Sequence, residues 1–331
     1  MWTEERLNKM LTTPSEALSV ELGRLEGDIL VLGAGGKMGP TLCVLAKNAL
    51  RAAGVEKRVI AVSRFSDPLV VELLRENGVE MISADLLAPG ALDSLPDAEN
   101  VIYMAGKKFG TDGNEYATWA MNTWLPSRVA ERYQNSRIVV FSSGNLYPKV
   151  GVHSGGATEE TRTEPVGEYC MSCQGRERMF EYAAKTYGTR VAVYRLNYAV
   201  DLRYGVLYDM AHNILEGKPI SITTPSFNCI WQGGRQRGGA ASAGACLGGG
   251  VHAERDGAGD RGRTGDGEKA GRAAGQRAHI HRGGVGHGVS EQRGKDVPAV
   301  RLSHGAAGNA DRMAGTVDFG RRARIGQAHA L

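Results

Sequence analysis

The stretch Asp28-Ile29-Leu30-Val31-Leu32-Gly33-Ala34-Gly35-Gly36-Lys37-Met38-Gly39-Pro40 decides how the rest of the chain is read. Four consecutive apolar residues have the length of a buried strand, and the small residues after them permit a tight turn. From Pro40 to Ala53 the pattern is helical, so a strand, a glycine loop and a helix follow one another. In that order the loop lets backbone N–H groups approach a pyrophosphate at the helix N-terminus.

Outward from this unit the same alternation repeats. Apolar runs at Asp28 to Leu32, Arg58 to Ser63, Glu80 to Ala84, Asn100 to Ala105, Arg137 to Ser142 and Arg190 to Leu196 predict six strands. Helices are expected near Pro40 to Ala53, Pro68 to Asn77, Tyr116 to Tyr133 and Tyr169 to Tyr187. Short apolar runs alternating with helix-length segments imply an α/β, Rossmann-type doubly wound parallel sheet. Ahead of it, Leu7, Met10, Leu11, Leu18, Leu22 and Leu25 recur among charged residues, which predicts one or two amphipathic helices packed on the domain behind.

The expected organisation is therefore a helical extension at 1–26, a dinucleotide-binding domain with the start of a substrate region at 27–233, and a separate segment at 234–331. Composition sets that last boundary. Residues 1–233 hold 24 Lys and Arg against 27 Asp and Glu, with all 11 Tyr and all four Trp. Residues 234–331 hold 24 of the 46 Gly and 16 basic against 9 acidic residues, with one Phe as their sole aromatic residue. Only 12 Leu, Ile, Val or Phe fall in those 98 positions, too few to offset the entropy of folding, so disorder is expected there. The basic balance of the whole chain belongs to this segment.

Five cysteines, odd in number and sparse, give no disulfide framework, and no apolar run approaches a membrane span. A cytoplasmic protein without membrane contact is expected. Cys170 and Cys173 form a C-x-x-C, but no second pair follows at zinc spacing and no thioredoxin-like context surrounds it. His279-Ile280-His281 likewise has no metal-ligating partners at suitable spacing. The 14 Arg of the terminal segment could contact phosphates, yet it holds almost no aromatic residues on which RNA bases would stack.

The second strand ends Val62-Ser63-Arg64, without an acidic residue for a ribose 2′-hydroxyl, and an arginine there can pair with a 2′-phosphate. The reading is NADP or NAD, leaning toward NADP.

These residues together resemble the extended short-chain dehydrogenase/reductases, also called the NAD-dependent epimerase/dehydratase family. The glycine spacing at Gly33, Gly36 and Gly39 matches, with Lys37 and Met38 inside it, and so do Asp85-Leu86, Met104-Ala105-Gly106 and Asn122. The resemblance implies that Asp85 and Leu86 lie near the adenine, that Ala105 and Gly106 line the cofactor, and that Asn122 belongs to the same site. Phe141-Ser142-Ser143-Gly144-Asn145-Leu146-Tyr147 looks like the family's Ser-Ser-x-x-x-Tyr segment, and Tyr169 follows 26 residues after Ser143. The resemblance makes Ser143 and Tyr169 the catalytic pair for hydride exchange at a sugar-like or alcohol carbon, with a sugar, nucleotide-sugar or related alcohol as substrate. A homodimer is among the expected partners.

One departure stands out: the family's Tyr-x-x-x-Lys reads Tyr169-Cys170-Met171-Ser172-Cys173. A thiol in place of the ammonium is expected to leave Tyr169 less acidic. Arg176 falls on the same helical face and is expected to substitute in part for the missing charge. The same departure opens a second reading, a catalytically weak NADP-binding sensor or regulator on this fold.

Ser226-Phe227-Asn228-Cys229-Ile230-Trp231-Gln232 reads as a strand, after which the family continues with an acidic residue and an amphipathic helix. Here Gly234-Arg235-Gln236-Arg237 follows instead. Pairing the last two bases of each codon with the first base of the next permits D-A-N-E-A-A-L-R-A-L from Gly234 to Ala243, an acidic start and an amphipathic helix. From Val251 to Asp260 the same shift permits F-T-L-N-V-T-G-P-E-T, similar to a strand and N-v-t-G motif of the family. A change of reading frame near Gly233 is therefore expected.

Overall fold

The computed structural model describes residues 3–151, 154, 156–220, 227 and 229–233, together with the backbone of 299–303 and 316–320. The expectations for the remainder of 234–331, including His279-Ile280-His281, lie outside the described residues. The described residues fall into two compact units. Those within Met1–Leu146, Thr163–Leu196 and Gln232–Arg255 form the first, and those within Tyr147–Arg162, Asn197–Trp231 and Asp256–Leu331 the second.

The first unit opens with two helices, α1 (Glu4–Thr12) and α2 (Glu16–Arg24), capped by the side chains of Thr3 and Ser15. Both cap oxygens accept a first-turn N–H that the helix itself leaves unpaired. The helices bury Leu7, Leu11, Leu18 and Leu22 and lie along α3 (Gly39–Ala52), where Asn48 Nδ2 donates to the Thr12 carbonyl at 3.0 Å.

Six parallel strands follow: β1 (Ile29–Leu32), β2 (Val59–Ser63), β3 (Glu80–Ser83), β4 (Asn100–Tyr103), β5 (Arg137–Ser143) and β6 (Arg190–Leu196). Their order is β3-β2-β1-β4-β5-β6, that of a doubly wound sheet reversing direction between β1 and β4. Between them run α3, α4 (Pro68–Glu76), α5 (Glu115–Trp119), α6 (Leu125–Arg132) and α7 (Glu168–Thr186).

Successive strand residues point to opposite faces. Ile29, Val31, Val59, Ala61, Ile102 and Val139 join the α2 and α3 side, whereas Leu30, Leu32, Ile60, Val62, Val101 and Val140 join the α6 and α7 side. Both faces of β1, β2, β4 and β5 are covered, so these strands read as apolar runs, while β3 at the edge holds no buried residue.

The helix expected over Tyr116 to Tyr133 runs from Glu115 to Arg132 without a gap, but it is not α throughout. Ala120–Trp124 forms one turn of π-helix between α5 and α6, with the Leu125 N–H bonded back to the Ala120 carbonyl. This turn inserts one extra residue per turn and changes which side chains face inward.

In the second unit, β7 (Ala199–Val200) pairs in parallel with β8 (Ile230–Trp231), beside α8 (Val206–Leu215). Val200, Phe227 and Cys229 form a small core with Tyr198, Val206, Leu207 and Met210 around it. Strands β9 (Ala299–Ser303) and β10 (Thr316–Gly320) pair antiparallel. Among the described residues no helix is long and apolar enough to cross a membrane, and no cluster of His, Cys, Asp and Glu could hold a metal.

Candidate active site

The glycine loop leaves the carboxyl end of β1 at the point where strand order reverses, the position at which open α/β sheets bind ligands. Gly33 has φ of 88°, and a Cβ there would lie 2.5 Å from the backbone nitrogen of Ala105. The loop is thus pressed against the segment that follows β4. A Cβ on Gly39 would stand 2.3 Å from the Ala34 carbonyl oxygen, so α3 also begins in close contact with the turn.

Gly36 is different. Its φ is not positive, and a Cβ would meet only the Gly33 oxygen, at an ordinary 3.6 Å. Nothing in the protein itself crowds that position. The first turn of α3 carries no acidic residue, which keeps the positive end of its dipole available to an anion. A dinucleotide pyrophosphate would fit against the backbone of this turn.

Lys37 is exposed and Met38 half-buried against the core. Arg64 is exposed just beyond Ser63, whose Oγ lies 2.4 Å from where a Cβ of Gly35 would be, so the end of β2 adjoins the loop. Asp85 is exposed and accepts the Leu87 N–H at 3.1 Å, while Leu86 and Ala105 are buried and Gly106 exposed.

Ser143 ends β5, its hydroxyl accepting the Asn145 N–H at 3.2 Å. Tyr169, in the first turn of α7, is half-buried, and its phenol lies close enough to the side chains of Ser143 and Cys173 for both to act on its acidity. The two residues chosen from the sequence thus meet in space. Burial pushes the Tyr169 phenol well above its ordinary 10.0; Cys173 raises it further, while Arg176 and Ser143 pull it down without prevailing. Burial also raises the Cys173 thiol.

Arg176 is buried under the loop after β4. Its Nη1 donates to the Phe141 carbonyl at 2.8 Å and its Nη2 to Asn122 Oδ1 at 2.9 Å, while Nε has no hydrogen-bond partner. A Cβ on Gly106 would lie 2.7 Å from Nη2. Asn122 is fully buried, and the π turn aims it at this guanidinium. Its Oδ1 also accepts the Lys107 N–H, and its Nδ2 donates to the Lys107 carbonyl and to Ser172 Oγ. All four hydrogen-bonding positions of the amide are filled. Asn122 therefore acts here by fixing the backbone at Lys107 and orienting Arg176.

Sequence reasoning passed over Glu177 and Arg195. Their carboxylate and guanidinium form a partly buried ion pair at 2.8 Å, and Ser142 Oγ donates to Glu177 at 2.5 Å. This network ties α7 to β5 and β6 directly beside Ser143. One charge on α7 and one of opposite sign near the end of β6 were the available signal; their pairing depends on tertiary structure.

The model of the family described as "NAD dependent epimerase/dehydratase family" matches residues 29–236, more than half of the chain. The chain belongs to that family. No curated protein sequence matches it. Among solved structures, the epimerase/dehydratase chain is similar to a UDP-glucuronic acid 4-epimerase from Bacillus cereus, crystallised with UDP-glucuronic acid and NAD. That match has a TM-score of 0.54 and 18% identity, covering 65% of this chain and 72% of the other. A dTDP-glucose 4,6-dehydratase from Streptomyces venezuelae with NAD bound aligns with a TM-score of 0.55 and 16% identity over 64% and 70% of the two chains. A UDP-N-acetylglucosamine 4-epimerase from Methanobrevibacter ruminantium gives 0.55 and 17% over 66% and 73%. At these identities they show the shared fold.

Proposed function

We propose that this epimerase/dehydratase family member binds NAD(P) and interconverts a hydroxyl and a carbonyl on a nucleotide-sugar, sugar or related alcohol. The observation that carries the reading is the closeness of the Tyr169 phenol, in the first turn of α7, to the Ser143 hydroxyl at the end of β5. A bound nicotinamide supplies the hydride donor or acceptor. Ser143 holds the reacting substrate oxygen, and Tyr169 gives that oxygen a proton when the carbonyl is reduced or removes one when the alcohol is oxidised. Tyr169 keeps its proton at neutral pH, so it stands ready to protonate a carbonyl oxygen, whereas alcohol oxidation calls for its phenolate. The solved relatives crystallised with nucleotide-sugars support the substrate class.

The test is NAD(P)H binding by fluorescence, then turnover on a panel of nucleotide-sugars and their keto forms. Tyr169→Phe and Ser143→Ala should lower turnover by about 10²-fold or more with cofactor affinity retained. Unchanged turnover in Tyr169→Phe would overturn the assignment. Cys173 in place of a lysine favours a second reading, a cofactor-binding regulator. Saturable NADP binding without turnover on any member of the panel would establish that reading.

Arg64 beside the glycine loop supports NADP over NAD. Arg64→Ala should weaken NADP by about tenfold and leave NAD unchanged, one charge-assisted bond being worth roughly that much. Exposed Tyr116, Trp124, Met171 and Tyr182 on α5 to α7 support a homodimer, which light scattering would detect. Four cysteines outside any disulfide among the described residues fit a cytoplasmic site.

The expected frame change is kept as part of this reading. The family match stops at 236, close to the compositional break, while Gln232 is fully buried and donates to Thr41 Oγ1. Resequencing the gene decides it: an extra or missing base near the Gly233 codon is expected, and an intact frame would refute it.

A further inference from the structure

Cys170 and Cys173 take no part in the proton transfer, yet they stand beside it. They lie three residues apart near the start of α7, where that spacing sets Cβ atoms about 5–6 Å apart. Cys173 is fully buried one helical turn on from Tyr169 and close enough to act on its phenol, and Cys170 is half-buried, so reagents reach the pair from the Cys170 side. A disulfide needs Cβ atoms about 3.5–4.5 Å apart, which one helical turn can supply by tightening.

We propose that Cys170 and Cys173 are a thiol-modification site, oxidised by a small-molecule disulfide to an intrahelical disulfide that takes the Cys173 sulfur away from Tyr169. The Cys170 thiolate, favoured in the first turn of a helix, attacks one sulfur of the reagent and expels the first thiolate. Cys173 then gives up its proton to solvent, attacks the Cys170 sulfur and expels the second. Two protein thiols are oxidised by two electrons, and the small disulfide is reduced to two thiols. Tyr169 loses the thiol that stands beside its phenol. In the cytoplasm such a bond is transient and responsive, as redox-sensing disulfides are.

The existence of the disulfide stands apart from the proposed activity, and only its effect on turnover rests on that reading. Trypsin cuts after Arg162 and Arg176, so one peptide carries both cysteines. Full-length protein is treated with oxidised glutathione near pH 8, about the ordinary thiol pKa, then alkylated and digested. The 163–176 peptide should be lighter by two hydrogens and unalkylated, and dithiothreitol should reverse this. Turnover should fall about three- to tenfold on oxidation, the worth of one side-chain interaction, with cofactor affinity kept. Cys170→Ser should keep basal turnover and lose the response. A peptide that stays a dithiol, or that stops at a mixed disulfide on Cys170, would overturn the site. A disulfide that forms without changing turnover would overturn its link to Tyr169. If no substrate is turned over at all, the functional reading fails while the peptide mass still decides the site.

Discussion

Arg176 Nη2 and the Lys107 N–H converge on one acceptor, Asn122 Oδ1, at 2.9 Å and 2.8 Å. The cation on α7 and the loop after β4 are thereby locked to each other through a single amide. Arg176 also holds the Phe141 carbonyl, two residues before Ser143.

Removing that cation should therefore loosen the fold as well as the site. Arg176→Ala withdraws donors from two buried acceptors, and a loss of about 1–3 kcal/mol in urea unfolding is expected. Arg176→Lys should recover only part of it, because an ammonium cannot reach both acceptors as a planar fork does. Equal stability of Arg176→Ala and wild type would contradict this.

Cys173→Lys should make Tyr169 more acidic. A cation beside the phenol favours the phenolate, so the pH at which alcohol oxidation reaches half its maximum should drop by about one to three pH units. A pH–rate profile of the two proteins measures it, with circular dichroism confirming the fold. Superimposable profiles would show that the ammonium has no access to Tyr169.

The two glycines of the β1 loop should fail in different ways. Gly33→Ala forces a left-handed φ and a clash with Ala105, and should cost about 1–3 kcal/mol of stability. Gly36→Ala meets no protein atom closely and should unfold like wild type, yet bind NAD(P) at least about tenfold more weakly. Unimpaired binding by Gly36→Ala would place the pyrophosphate elsewhere.

Stability should decline on the alkaline side through Cys43. Complete burial raises this thiol from 9.0 to about 12. The unfolded chain then binds fewer protons than the folded one between those values. The stabilisation is whole below pH 9.0 and is lost as pH rises toward about 12. The expected slope is up to about 1.4 kcal/mol per pH unit, and Cys43→Ala should show a shallower decline of the urea midpoint. Identical slopes would rule out Cys43 as the cause.

The parallel sheet was legible because its central strands β1, β2, β4 and β5 are buried on both faces and so leave apolar runs, as in Ile29–Leu32. Ser143 and Tyr169 were legible through their spacing within a family resemblance. The π turn was not, since Ala120–Trp124 contains neither proline nor glycine and its helical period simply continues across it. The sequence pattern also set Arg176 on the face of Tyr169 without showing that its donors are spent on Asn122 and Phe141. Those partners lie 54 and 35 residues away, beyond the reach of any local rule.

That π turn gives the site an unusual kind of fragility. An α-helix advances about 100° per residue, so one surplus residue at 120–124 sets the rotation of everything between the loop after β4 and α6. Asn122 faces Arg176 through that offset in residue count rather than through any one side chain. An in-frame loss of a single codon there would leave every chemical group encoded and still turn the amide away from the guanidinium it orients.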